Sequence, residues 1–248
     1  MPVEGARPSY AREVEALFAE LSSQREGLTA AEAGARLAHY GPNQLAEKAA
    51  GGLWPLIGAQ LANPLIFMLL AAAILSGVTG HLIDAAVILV VVVLNTLIGV
   101  VQERRAERAL DALRALSAPR AVVLRDGDPR VIPASDVVPG DILVLESGLR
   151  VAADARVLEG NELAVDESAL TGESLPVAKS PETLPPRLPL AEQRNMVWMS
   201  TAVTAGKGRA LVTCTGMRTV MGEIAAEVNA TERAETPLQR RMGRLAGL

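Results

Sequence analysis

Two runs of almost pure hydrocarbon, joined by a short polar link, limit what this chain can fold into more than any other feature. The first is "WPLIGAQLANPLIFMLLAAAILSGV", uncharged from Pro64 to Val78. The second is "AAVILVVVVLNTLIGVV", Ala85 to Val101, in which Asn95 and Thr96 are the polar groups. With its flanking residues each run is long enough to cross ~30 Å of hydrocarbon. The link "SGVTGHLID" leaves room only for a turn, so the two helices are expected to be antiparallel, with both chain ends on one side of a membrane. "QERRAERAL" follows at once, and its Arg104, Arg105 and Arg108 make that side the cytoplasm by the positive-inside rule. Trp54 is placed like an interfacial anchor, and Pro64 should kink or reset the first helix. Asn95 and Thr96 are read as helix–helix contacts in preference to a transport path.

Composition agrees with a membrane segment. Hydrophobic residues make up 50% of the 248 residues but aromatics only 2%, an excess of small aliphatic chains that suits lipid-facing helices. Lys and Arg total 24 against 28 Asp and Glu, for a net charge of -4. No basic patch is interleaved with aromatics, which argues against nucleic acid as a partner. The single cysteine, Cys214, excludes an internal disulfide and a cysteine-cluster metal site. His39 and His81 stand in unrelated contexts, and neither is read as a ligand. The first 50 residues are polar and charged, so the apolar runs are not a cleaved leader.

Around the hydrocarbon the periodicity changes twice. Up to about Gly52 the chain reads as helical. In "GLTAAEAGARLAHYGPNQL", Thr29 and Glu32 form a capping box, Leu28 begins a hydrophobic staple, Leu37 lies on the buried face and Gly41-Pro42 ends the helix. After the second run a stripe of Ala106, Ala109, Leu110, Leu113 and Leu116 extends the helix. A helix from Leu82 to Leu116 would be about 50 Å long. From Pro119 the pattern is strands. "RAVVLRDGDPRVIP" is a hairpin turning at Asp126-Gly127, "VVPGDILVLESG" and "ARVLEGNELAVDESAL" give further strands, and "NMVWMSTAVTAGKGRALVTCTG" is expected to be a long hairpin bending at its glycines. "SPETLPPRLPLAEQRN" is a Pro-rich loop, and "MGEIAAEVN" a short helix. Short strands at close spacing predict a compact β domain, a sandwich or jelly roll.

Two stretches invite a chemical reading. "TAGKGRAL" resembles a phosphate-binding loop but fails the pattern, because Gly208 follows Lys207 and Thr201 stands where the first glycine belongs. Thr171-Gly172-Glu173-Ser174, inside "VDESALTGESLPVAK", is by itself an ordinary turn of small polar residues.

Taken in order, the blocks resemble the N-terminal portion of the P-type cation-transporting ATPases. They are the leading "GLTAAEAGARLAHYGPNQL", then "QLANPLIFMLL", "NTLIGVVQERRAERALDAL", "VLRDGDPRVIPASDVVPGDILVLESG", "VDESALTGESLPVAK", "GRALVTCTGMRTVMGEIA" and the closing "TPLQ". They look most like the calcium, sodium/potassium and proton branch, since the Cys-x-x-Cys modules of the heavy-metal branch are absent. The resemblance implies a fold of membrane α plus all-β: a helical N-terminal segment over 1–52 that packs on an actuator domain, a transmembrane hairpin over 53–104, a distorted jelly-roll actuator domain over 105–235, and an approach to a third membrane helix over 236–248. It also implies a role for the loop. In the family an aspartate is phosphorylated by ATP, and the Thr-Gly-Glu-Ser loop helps to hydrolyse that phosphate. Glu173 then orients and deprotonates water, Gly172 lets backbone approach phosphate, and Thr171 and Ser174 hold the loop or contact the phosphate.

The sequence departs from the family at Leu149 and Ala152, where Asp and Pro are usual, and at Ser200-Thr201, where Gly-Thr is preferred; these read as tuning of turns. The Asp-Lys-Thr-Gly-Thr motif of the phosphorylated aspartate does not occur in these residues. The expectation is therefore a piece of a cation pump in a plasma membrane, bacterial by preference. Lipid, the remaining pump domains and a transported cation are its partners, and the chain alone would be inactive. No cofactor is expected in it, while ATP and Mg2+ are implied for the complete pump. The rival readings are a non-catalytic membrane-anchored β-module that regulates or assembles with a pump, and a decayed fragment. Gln60 and Asn63 do not decide which ion is carried.

Overall fold

Two strands of thirteen residues each, β4 (Asp154–Asp166) and β7 (Ala202–Cys214), run antiparallel through the middle of the β region. The computed structural model describes residues 8–46, 57–58, 64–116 and 119–232. Around the central pair lie β1 (Arg120–Arg125), β2 (Asp128–Pro133), β3 (Ile142–Glu146), β5 (Val177–Ala178) and β6 (Met196–Val197). They form one antiparallel sheet in the order β2-β1-β3-β7-β4-β5, with β6 also paired to β4. The β1–β2 turn is the one the sequence predicts: Asp126 and Gly127 both take positive φ, 54° and 82°, which a two-residue hairpin of matching twist requires.

Both faces of the sheet are covered, which is why "ILVL" in β3 is an unbroken apolar run. One face carries the main core, where Val123, Leu143, Leu145, Val157, Val165 and Val212 are buried together. On the other, Leu124, Ile142 and Leu211 meet Leu17 and Phe18 of α1 (Val14–Glu20). The N-terminal segment therefore packs on the sheet. Helix α2 (Ala30–Tyr40) begins with the expected capping box: the Thr29 hydroxyl accepts from Glu32 N, and Glu32 accepts from Thr29 N at 2.9 Å. Leu28 and Ala33 are buried with Val138, completing the staple, and Leu37 packs against them. Asn43 ties the same segment down, donating to the carbonyls of Ala134 and Ala152 and accepting from Gly216 N at 2.7 Å.

The expected hairpin around "TAGKG" is corrected by the structure: β7 passes straight through it. Its glycines serve a close approach to β4. A Cβ at Gly206 would lie 2.2 Å from the Glu162 carbonyl oxygen, and one at Gly208 would lie 2.5 Å from that of Glu159. Gly208 pairs directly with Gly160, and β4 bulges nearby, between Asn161 and Ala164. Glycine inside a strand marks such an approach as readily as it marks a turn.

Contacts divide the chain into two compact units, Met1–Glu47 with Pro119–Leu248, and Lys48–Ala118. The second contains α3 (Pro64–Val78) and α4 (Leu82–Leu116), joined by a tight turn in which Gly80 has φ 87°. Ile66, Ala73 and Val92 are buried, whereas Ile83, Val87, Val93 and Leu97 are all more than half exposed. A continuous apolar surface of that kind belongs against lipid or other protein rather than water. Helix α4 is long and apolar enough over Leu82–Ala106 to cross a membrane, with a mean hydropathy of 2.5 in its richest window. At about 22 Å, the fifteen residues of α3 are shorter than the hydrocarbon core. Asn95 is exposed and Thr96 half-buried, so of the two only Thr96 sits where a helix contact was expected. Trp54, Gln60, Asn63 and the 236–248 segment lie outside the described residues, as do the side chains of Leu110, Leu113 and Leu116.

Candidate functional site

Strand β4 ends at Asp166, and β5 returns beside it through the pairs Ala164↔Ala178 and Val165↔Val177. The residues between them form the loop that carries Thr171, Gly172, Glu173 and Ser174. Asp166 starts it by accepting from Ser168 N at 2.9 Å, and hydrogen bonds from Ser168 hold its carboxyl below the usual range. One short helical turn follows, α5 (Ser168–Thr171), and Gly172 ends it in the left-handed region at φ 77° while donating to the Ser168 carbonyl. That conformation suits glycine, and a Cβ there would meet nothing within 4 Å, so the backbone faces open space.

The four predicted site residues come together, but they differ in what engages them. The Thr171 hydroxyl donates to the Glu167 carbonyl at 3.2 Å and accepts from Glu173 N at 3.3 Å, so it holds the loop. Glu173 and Ser174 are exposed, and among the described residues no hydrogen bond or ion pair engages either side chain. Leu175 beside them is 81% exposed. The loop therefore offers a carboxylate, a hydroxyl and a bare apolar group outward.

Below this tip lies a feature that the motif reading passed over. Glu167 and Lys179 are both buried, and their charged ends stand 2.5 Å apart. Burial pushes the Glu167 carboxyl up and the Lys179 amine down, and each partner opposes the shift of the other. Both residues lie inside "VDESALTGESLPVAK". The available signal was a pair of opposite charges, each two residues after one of the paired valines Val165 and Val177.

Three further buried polar groups fasten neighbouring parts of the domain. Asp154 accepts from Met199 N and Val220 N, both at 2.8 Å, and so joins β4 to the start of α6 (Val220–Glu232). Its burial pushes the carboxyl up to about 6. Arg156 is fully buried and donates to four carbonyls, those of Val157, Asn195, Pro181 and Glu182, and desolvation lowers its pKa to about 10. Asn195 donates to the carbonyls of Tyr10 and Glu182. Among the described residues no three His, Cys, Asp or Glu side chains converge as a metal site.

Residues 115–229 match the model of the P-type ATPase actuator domain, and residues 9–76 match that of the cation transporter/ATPase N-terminus. The chain is 43% identical to calcium-transporting ATPase 1 of Bacillus cereus over 229 residues, which is 90% of this chain and 26% of that protein. It is likewise 43% identical to the calcium-transporting ATPase of Bacillus subtilis, over 92% of this chain and 26% of the relative. With the probable cation-transporting ATPase F of Mycobacterium tuberculosis it shares 42% over 88% of this chain and 24% of the relative. It thus spans about a quarter of the length of the curated relatives it matches.

Proposed function

This chain belongs to the P-type cation-transporting ATPases, and from that premise we propose that it forms the N-terminal part of an ATP-driven pump in which Glu173 promotes hydrolysis of the aspartyl-phosphate intermediate. The observation that carries the proposal is the exposed Glu173 carboxylate, held out on a glycine-ended turn in the domain that matches the actuator model. Hydrolysis of an acyl phosphate needs a water in line with the bond to be broken and a group to accept its proton. The water oxygen bonds to phosphorus, the bond from phosphorus to the aspartyl oxygen breaks, and Glu173 takes the proton. A carboxylate brought near a phosphoryl group is repelled by it, so it must be mounted on something stiff. The β4–β7 pair is such a mount. Gly172 permits close backbone approach, Thr171 fixes the turn, and Ser174 is the hydroxyl left to meet the phosphate.

Under this reading the phosphorylated aspartate, ATP and Mg2+ belong to other segments of the pump. The domains would run 1–52, 53–104, 105–235 and 236–248. The hairpin of α3 and α4 would lie in the cell membrane with the actuator domain and both chain ends in the cytoplasm, and rotation of that domain would pull on the helices. The names of the Bacillus relatives make calcium the first cation to test. Co-expression with the rest of such a pump provides the experiment. Cation-dependent ATP hydrolysis should return, and it should stall at the phosphoenzyme in Glu173→Gln. Binding without hydrolysis would instead identify a regulatory module.

A further inference from the structure

We propose that the buried Glu167–Lys179 pair is the anchor that positions the Glu173 carboxylate, an inference that rests on the assignment of Glu173 to phosphoenzyme hydrolysis. Besides Leu170, which packs half-buried against the Tyr10–Trp198 cluster, the loop from Ser168 to Pro176 has few other restraints. Strand β5 contributes only two ladder pairs to its return. The bonds of α5 are all local, and the side chains from Gly172 to Pro176 are exposed. Glu167 immediately precedes the loop and Lys179 immediately follows β5, and both are buried.

Glu167 also connects the anchor to the tip. Its side chain meets the Lys179 ammonium, while its carbonyl accepts from Leu170 N, Thr171 N and the Thr171 hydroxyl. That hydroxyl in turn accepts from Glu173 N. Lys179 is fixed from the other side, since its amide donates to the Leu163 carbonyl of β4 at 2.8 Å. A short relay of contacts thus runs from the central strand through Lys179, Glu167 and Thr171 to the backbone of Glu173. A buried ion pair is a poor device for stability alone, because desolvation offsets its attraction. It is a good device for fixing one geometry, and a proton acceptor that must meet a water beside a phosphate needs one geometry. Glu167 and Lys179 are positioning residues; neither would touch the phosphate.

The test uses Glu167→Met with Lys179→Met, which replaces both charges by apolar chains of similar length, the change that buried pairs tolerate best. In the full chain held in lipid nanodiscs, the double variant should unfold at the parental temperature, while amide exchange at Thr171, Gly172 and Glu173 accelerates by about tenfold or more. In the complemented pump its phosphoenzyme should form at the parental rate and decay about tenfold or more slowly. Parental exchange and decay in the folded double variant would overturn the proposal. Glu173→Gln is run beside it: normal decay there removes the catalytic assignment, and the exchange measurement then decides the anchor by itself. Should the double variant not fold, Thr171→Val cuts the relay one link further on, at a half-exposed residue. It should speed exchange at Glu173 and slow decay, and Thr171→Ser should restore both. Parental behaviour in Thr171→Val would equally overturn the inference.

Discussion

Two loops flank β5, and they are held in opposite ways. The one that follows it, from Ser180 to Asn195, is fastened along its length. Arg156 reaches three carbonyls at its two ends, those of Pro181, Glu182 and Asn195, Leu184 N donates to Tyr10 O, the Tyr10 hydroxyl accepts from Arg187 N, and Leu184, Leu188 and Leu190 pack around Trp198. The one that precedes it, from Glu167 to Pro176, is fastened at its base and bare at its tip. Polar groups satisfied inside the fold are scaffold; polar groups left exposed on a stiff base are presented to something else. The contrast divides the labour between the loops. The longer, Pro-rich loop is structure, and under the proposed function the shorter one is the working surface.

Removing the fastening of the first loop should have the largest effect on stability. Arg156→Ala leaves a cavity and removes a donor from each of four carbonyls, and should cost about 3–4 kcal/mol. Thermal unfolding followed by tryptophan fluorescence, with Trp198 buried nearby, reads the loss. A cost below about 1 kcal/mol would show that this loop is not held as described.

Asp154 comes next and depends on pH. Its folded carboxyl titrates near 6 against an ordinary value of 3.8, so between those limits the folded state holds a proton that the unfolded chain has lost. The contribution is complete below about pH 4 and disappears as pH rises through about 6, a fall of up to about 3 kcal/mol. In Asp154→Asn the stability curve between pH 4 and 6 should be flatter than the parent's. A parallel curve would mean that the carboxyl is not perturbed.

A smaller effect belongs to Ser200, which occupies the left-handed region at φ 72°. Ser200→Gly should stabilise the domain by about 0.5–1 kcal/mol in the same assay. On the working loop the expectation is the reverse. Glu173→Gln should change stability by less than about 0.5 kcal/mol, because the side chain is exposed and unengaged.

What the sequence revealed divides along a similar line. The Thr29–Glu32 capping box, the Asp126-Gly127 turn and the helix from Leu82 to Leu116 are local or periodic, and each was readable from neighbouring residues. The site tetrapeptide was readable through its resemblance and its place among ordered blocks. Gly206 and Gly208 misled because a strand crossing and a turn both demand glycine, and only the partner strand tells them apart. Ser200 showed as a departure from a preferred glycine, although its backbone angle did not. Arg156, Asp154 and the Glu167–Lys179 pair escaped notice for a common reason. Their partners lie across the fold or across a loop, and a charge destined for burial looks in sequence like any surface charge.

Decay of the phosphoenzyme in the complemented pump tests the central claim most directly, comparing the parent with Glu173→Gln and with Glu162→Gln. Glu162 is another exposed carboxylate on the same domain, away from the loop tip, and serves as the control. The account predicts that Glu173→Gln slows decay by about a hundredfold or more, the usual weight of a positioned proton acceptor, while Glu162→Gln decays like the parent. Equal decay in all three would contradict it.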